Sequence, residues 1–340
     1  MEGTIEQAAK SPAAQGAAAR GGAQRVLVLT GRYGTPGVLV LLLIGFTAAG
    51  PTFLTGQNLL NILNQSATLA VVAGGLTLPL VAGKFDLSFA AVVSLSGILA
   101  VGFLERGGLP WFAAILLALA AAGIIGLVNG LLVAQLRIDP IVATLGTSTM
   151  LLGLNYAYSS GTPITLDSGP FTEIARGSVL GVPAPVILAA AVLGGLWVAL
   201  NFTLLGHHMR AVGTNQVAAR MAGVRVARIT VIAFVICGLC AGLAGVLLSA
   251  RIGSGQVTAG DGYLLNAFAA VFLGASVVRD GEFHIVGTLV GVLIVTVTFN
   301  GLSLLGAESY VQFLFQGGIL VAATALSSTS RRMLLDSARR

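Results

Sequence analysis

The chain has 340 residues, of which 56% are hydrophobic and 9% charged, and its mean hydropathy is +0.95. So apolar a balance excludes a soluble globular domain and a disordered chain alike. The formal charge of +6 and pI of about 9.9 fit a membrane chain whose Lys and Arg collect in cytoplasmic loops; a nucleic-acid partner would need a basic face on a soluble fold. An all-α polytopic membrane protein remains. Each crossing takes about 20 apolar residues plus a connection, which leaves room for about ten transmembrane helices and no sizeable soluble domain.

Residues 1–30 are rich in Ala, Gly and Gln, carry both charge signs and are expected to form a disordered cytoplasmic tail. No apolar run follows Met1 at the distance a cleavable signal peptide needs. The membrane domain is expected over 31–328, and 329–340 form a second cytoplasmic tail. Apolar runs place spans at 33–49, 65–82, 86–104, 110–136, 140–160, 184–203, 229–250, 263–278, 285–305 and 310–326. The second and eighth are short for a full crossing, and Gly74-Gly75 with Pro79 invites a break in the second.

With a cytoplasmic N-terminus, fifteen of the 18 Lys and Arg fall in inside segments, leaving only Arg106, Arg176 and Arg251 outside. That bias places both termini in the cytoplasm, and with them the segment 205–228 between the sixth and seventh spans. A Phe-Ala-Ala-Val core recurs at Phe89–Val92 and Phe268–Val271, in spans that run in opposite directions. An inverted repeat requires that arrangement.

Polar residues at membrane depth each need an account, because buried charge is costly in a bilayer. Lys84 and Asp86 lie two apart at the junction of two spans. They are open to two readings: a substrate-side or gating pair, or an interfacial Lys with Asp86 as an N-cap beside Ser88. Asn129, Asn155, Asn266 and Asn300 lie in or at the ends of spans, where an amide more often joins helices than contacts a substrate. As candidates for a substrate path we take Asp86, Asn129 and Asn300. Gly238, Gly242 and Gly245 have the spacing of close helix packing, and Cys237 and Cys240, a lone CxxC in an apolar helix, are expected to pack rather than bind metal or do redox chemistry.

No catalytic signature is present: no HExxH, no GxSxG in a strand-turn-helix setting, and no phosphate-binding loop with its Gly-Lys-Ser/Thr. An ATP-driven role would therefore borrow its ATPase from another chain, and the chain itself needs no cofactor. In the segment 211–230, AVGTNQVAARMAGVRVARIT, Thr214 is expected to cap a short helix and Gly223 to end it. Val217, Ala218 and Met221 would form an apolar patch beside an outward Arg220. A helix of about two turns is marginal alone, so it needs a surface to dock on.

Four stretches, DPIVATLGT (139–147), AVGTNQVAARMAGV (211–224), TAGDGYLLNAFAAVFLGAS (258–276) and GTLVGVLIVTVTFNGLSLLG (287–306), together with GKFDLS (83–88), resemble in sequence and order the permease subunits of ribose-type sugar ABC importers. The resemblance runs from about residue 58 to 326. It implies an inverted-repeat permease of the bacterial inner membrane, paired with a second copy or a paralogue, with two cytoplasmic ABC ATPase domains and a substrate-binding protein. It also implies that Thr214, Asn215, Val217, Ala218, Arg220, Met221 and Gly223 belong to the coupling helix that seats in the ATPase. At Lys84 and around His284 the chain departs from the family's smaller residues. The expected cargo is a small neutral sugar or polyol. Branched-chain amino acid permeases share the fold and are the nearer alternative; an ion-coupled secondary transporter would need acids at membrane depth, for which Asp86 is the main candidate.

Overall fold

An amide pair decides where the second helix begins. Apolar counting starts that span at 65 because GQNLLNILN (56–64) looks too polar to be embedded, yet Asn58 is buried and exchanges two hydrogen bonds of 2.9 Å with Asn300. In the computed structural model, which describes residues 35–166, 169–275, 281–318 and 321, Thr55 caps a helix that runs unbroken from Gly56 to Val81. At 26 residues this α2 is about 39 Å long, well beyond the hydrocarbon core. The short second span is thus corrected. The expected break is absent as well: Gly74 and Gly75 receive Leu193 and Cys240, and Pro79 lies in the last turns, where packing against neighbours holds the helix.

The remaining elements follow the apolar pattern closely. α1 is Thr35–Ala49, α3 Phe89–Glu105, α4 Trp111–Ala134 and α5 Pro140–Ser159. Outside the membrane come β1 (Ile164–Thr165), α6 (Pro170–Arg176), β2 (Ser178–Val179) and β3 (Val182–Pro183), the last two joined by a hairpin whose Leu180 and Gly181 both have positive φ. Then come α7 (Ala184–Phe202), α8 (Leu204–Thr214), α9 (Gln216–Met221), α10 (Val226–Ile252), β4 (Ser254–Gly255), α11 (Asp261–Ala275) and α12 (Ile285–Leu304), followed by a helix over 309–318. β4 pairs antiparallel with β1, Ile164 facing Gly255. The two tails and most of 319–326 lie outside the described residues.

Among the described residues five helices, α2, α4, α7, α10 and α12, are long and apolar enough to cross a membrane. α1, α3 and α11 are shorter and apolar. α5 has the length at 20 residues but carries Thr144, Thr147, Ser148, Thr149 and Asn155.

α10 is the central helix, packed on α4, α3 and α2. Its glycines set how near the others come. A Cβ on Gly238 would lie 2.6 Å from the carbonyl oxygen of Ala122 in α4, and one on Gly245 would strike the carbonyl of Val93 in α3. Without a lipid-tail hydrophobic force to join helices, such close backbone approach supplies the dispersion contact that does. The cysteines pack as expected: Cys237 and Cys240 are buried, with free thiols. The most apolar stretches of α2, α10 and α12 are each 67% buried, against 22% in α4 and 28% in α7, so α4 and α7 form the outer wall.

The two ends of the molecule are chemically distinct. Lys84, Arg137, Arg220 and Arg225 line one cleft. At the opposite end Arg106 donates to the Tyr158 carbonyl, and Arg176 donates to that of Arg251.

Candidate functional site

The end that carries the basic cleft is built on two short helices. α8 buries Met209 and Val212 in the core, and then the chain turns at Asn215. The expected cap is corrected here by one residue: the Thr214 hydroxyl donates back to the Arg210 carbonyl and closes α8, while the Asn215 side chain accepts from the amides of Val217 and Ala218 at 3.0 Å and opens α9. Asn and Thr are both good caps, so adjacent candidates are separated only by where the preceding helix ends. Gly223 ends α9 as expected, with φ +82°.

α9 anchors by one residue, Ala219, which is 5% exposed. Its other side is free: Val217 is 73% and Met221 85% exposed, and Ala218 and Arg220 are exposed beside them. Two large apolar side chains exposed beside basic ones form a patch suited to a protein partner. Gly213 fixes the base of this tip. Any Cβ there would strike the Val81 carbonyl at the end of α2, and its Cα already lies against Gly83, whose φ is +72°. Gly213 thus brings the end of α8, which leads into α9, against the end of the long, buried helix α2.

Beside α9 opens a cleft of about 700 Å³ lined by Lys84, Arg137, Asp139, Gln216, Arg220 and Arg225 among others. Partial burial lowers the basicity of the Lys84 amine below the ordinary Lys value, and the Asp139 carboxylate opposes that shift. Lys84 thus belongs to this cleft with Asp139.

Asp86 does not pair with it. Asp86 is 2% exposed and accepts from the Ser88 amide at 2.8 Å and hydroxyl at 2.7 Å, with the Cys237 thiol also within hydrogen-bonding reach. Asn129 continues the network: it donates to Ser88 Oγ at 2.8 Å and accepts from Thr147 Oγ1 at 2.7 Å. Thr144 Oγ1 accepts from the Leu87 amide. Of the non-helical backbone between α2 and α3, these bonds satisfy the amides of Leu87 and Ser88. Ser88, with Asp86 two residues before it, stands at the head of α3. Asn300 is engaged by Asn58. Of the three path candidates, none lines either the basic cleft or the smaller cavity described next.

That cavity, about 100 Å³, lies between α3, α5 and the start of α11 and is lined by Ala91, Ser94, Ser148, Thr149, Leu152, Asn155, Val257 and Asp261. Reading the residues alone singled out Asn155 only as a helix-joining amide, and passed over the other polar groups because Ser and Thr are routine in membrane helices.

The family model described as the permease component of the branched-chain amino acid transport system matches residues 58–324. The chain belongs to this permease family. It is 39% identical to the ribose import permease protein RbsC of Bacillus subtilis (strain 168), an alignment that covers 85% of the chain and 90% of that protein. It is 38% identical to RbsC of Escherichia coli (strain K12), over 86% and 91%, and 32% identical to the D-allose transport system permease protein AlsC of the same strain, over 87% and 91%. No solved structure matches. The ABC permease reading of the sequence is thereby shown, and with five candidate spans the protein is a multi-pass permease of the bacterial inner membrane.

Proposed function

We propose that this permease is the membrane subunit of an ATP-driven importer for a small neutral sugar or polyol. In this reading a substrate-binding protein delivers the cargo, and two ABC ATPase domains on separate chains drive the cycle. The permease pairs with a second copy or a paralogue, and ten spans form an inverted repeat. The observation that carries the coupling role is the exposed tip of α9, Val217, Ala218 and Met221, which follows directly on α8, itself packed through Gly213 on the end of α2. Closure of the ATPase pair would push on this tip and tilt the helices behind it, a rigid-body route to alternating access. The sugar class is supported by relatives whose names specify ribose, D-allose, galactose and L-arabinose import.

The test is purification with the ATPase encoded beside this gene, followed by ATP hydrolysis with and without a sugar-loaded binding protein. Stimulated hydrolysis by a stable complex is expected. An ATPase that fails to associate, or uptake driven by a pH gradient in ATP-depleted vesicles, would sink the importer reading.

A further inference from the structure

After β4 the chain does not leave the membrane domain. Gly255 lies against Ile98 in the middle of α3, and Gly260 lies against Ala90 near its start, with the Gly260 amide donating to Ser94 Oγ at 2.9 Å. Eight residues of α3 separate those contacts, so the non-helical segment 256–260 runs back along α3 by about 12 Å. α11 therefore starts inside the protein, with Asp261 as its first residue. Backbone of this kind at such depth persists only where protein or a polar cavity meets its hydrogen bonds.

Asn155 supplies one of those bonds and is left incomplete by it. Its side chain is 0% exposed and donates to the Val257 carbonyl at 3.3 Å, while its Oδ1 has no hydrogen-bond partner among the described residues. A buried polar atom left unpaired costs about 1–3 kcal/mol, and this one lines the cavity of Ser94, Ser148, Thr149 and Asp261. α5, which carries three of these five groups, falls below the apolarity of a lipid-facing span.

We infer that this cavity is a transport subsite that receives the hydroxyl edge of a neutral polyhydroxylated ligand, held by Asn155, Asp261, Ser148 and Thr149. The lining fits hydroxyls. The Asn155 oxygen and the Asp261 carboxylate accept, while the Ser and Thr hydroxyls both donate and accept. Among the described residues no Lys or Arg lines it, which disfavours a phosphate or a free carboxylate, and no aromatic ring lines it to stack on a sugar face. A volume of about 100 Å³ holds one edge of a ring, not the whole molecule. Exposed Thr149, Leu152 and Asp261 leave the mouth open for the remainder. Few hydrogen bonds and no stacking mean weak binding, which suits a path that must release what it receives. Discontinuous helices with a site at the break are a recurrent solution in transporters.

The subsite rests on the sugar-importer reading, and one experiment separates the two. Proteoliposomes containing the permease and its ATPase, with ATP inside and binding protein outside, are offered radiolabelled D-ribose, D-allose, D-galactose or L-arabinose. Asn155→Leu and Asp261→Asn are expected to lower the sugar delivered per ATP hydrolysed by about tenfold, the loss of one or two hydrogen bonds. Ser148→Cys gives a second readout should either variant fail to assemble, because the native thiols Cys237 and Cys240 are buried. N-ethylmaleimide should label the introduced thiol more slowly under turnover with the transported sugar, and at an unchanged rate with the others. Wild-type coupling in both Asn155→Leu and Asp261→Asn, or labelling indifferent to the sugar, overturns the subsite while the importer stands. A wild-type complex that moves none of the four sugars overturns the importer reading and the subsite with it.

Discussion

The α9 tip and the cavity at the head of α11 are both polar interruptions of an apolar chain, and they meet opposite physical demands. Around α9 water solvates the charges, so Arg220 and Arg225 cost nothing to expose, and the unusual feature is apolar: Val217 and Met221 left without cover. At α11 the buried backbone of Val257 and Gly260 is tied by Asn155 and Ser94, and the unusual feature is a buried polar atom left unpaired beside it. In each region the group that its own surroundings leave unsatisfied is the one available to a partner.

Changes at the α9 tip should have the largest effect on assembly and the least on folding. Ala218→Glu with Met221→Glu is expected to abolish co-purification of the ATPase, while the thermal midpoint in detergent stays close to wild type because exposed substitutions usually lie within about 0.5 kcal/mol. A falling midpoint would mean the tip is packed rather than presented. Next, Gly213→Val forces side-chain atoms into the Val81 carbonyl. About 3 kcal/mol of overpacking is expected, seen as a lower midpoint together with lost uptake. Retention of both would remove the close contact between the ends of α8 and α2.

Within the membrane, Asp86→Leu leaves the Ser88 amide without its acceptor. A loss of about 1–3 kcal/mol should follow, measured by thermal unfolding, and Asn129→Leu should be less than additive with it because both bond Ser88. A smaller effect is expected from Asn215→Ala, which removes the α9 cap at a cost of about 1 kcal/mol; the measurement is a weaker ATPase complex, not a lower thermal midpoint.

The smallest effect concerns Lys84. Its folded-state basicity is lowered by burial, so the unfolded chain holds the proton more tightly and stability should rise with pH between the lowered folded value and the ordinary Lys value of 10.5. Lys84→Met should flatten that slope over this range. An unchanged slope would place Lys84 in water, outside the cleft.

Much of this architecture was legible from residue patterns. The boundaries of α4, α5, α7 and α12 fall within two residues of the apolar runs, since lipid demands a continuous apolar helix and punishes exceptions. The short helix α9 was legible because a polar stretch with capping residues interrupts the apolar runs, although its cap fell on Asn215 and not on Thr214. The start of α2 was not, because an Asn buried against another Asn looks in sequence like an Asn in a loop. For the same reason Asp86, Asn129 and Asn300 stood out as polar residues in apolar surroundings, although Ser88, Thr147 and Asn58 occupy their hydrogen-bonding groups. Asn155 shares their composition and their depth, and differs in having one oxygen left over.

Composition by itself determined the class of protein and the bounds of most of its apolar helices, because these follow from transfer of side chains between water and hydrocarbon, a property of each residue alone. Only the tertiary structure decided which buried polar groups are satisfied, which helices are most exposed, how the end of α8 meets the end of α2 through Gly213 and Gly83, and where α11 begins. Those depend on pairs of groups far apart in the chain, and hydrogen bonds and backbone contacts are properties of pairs.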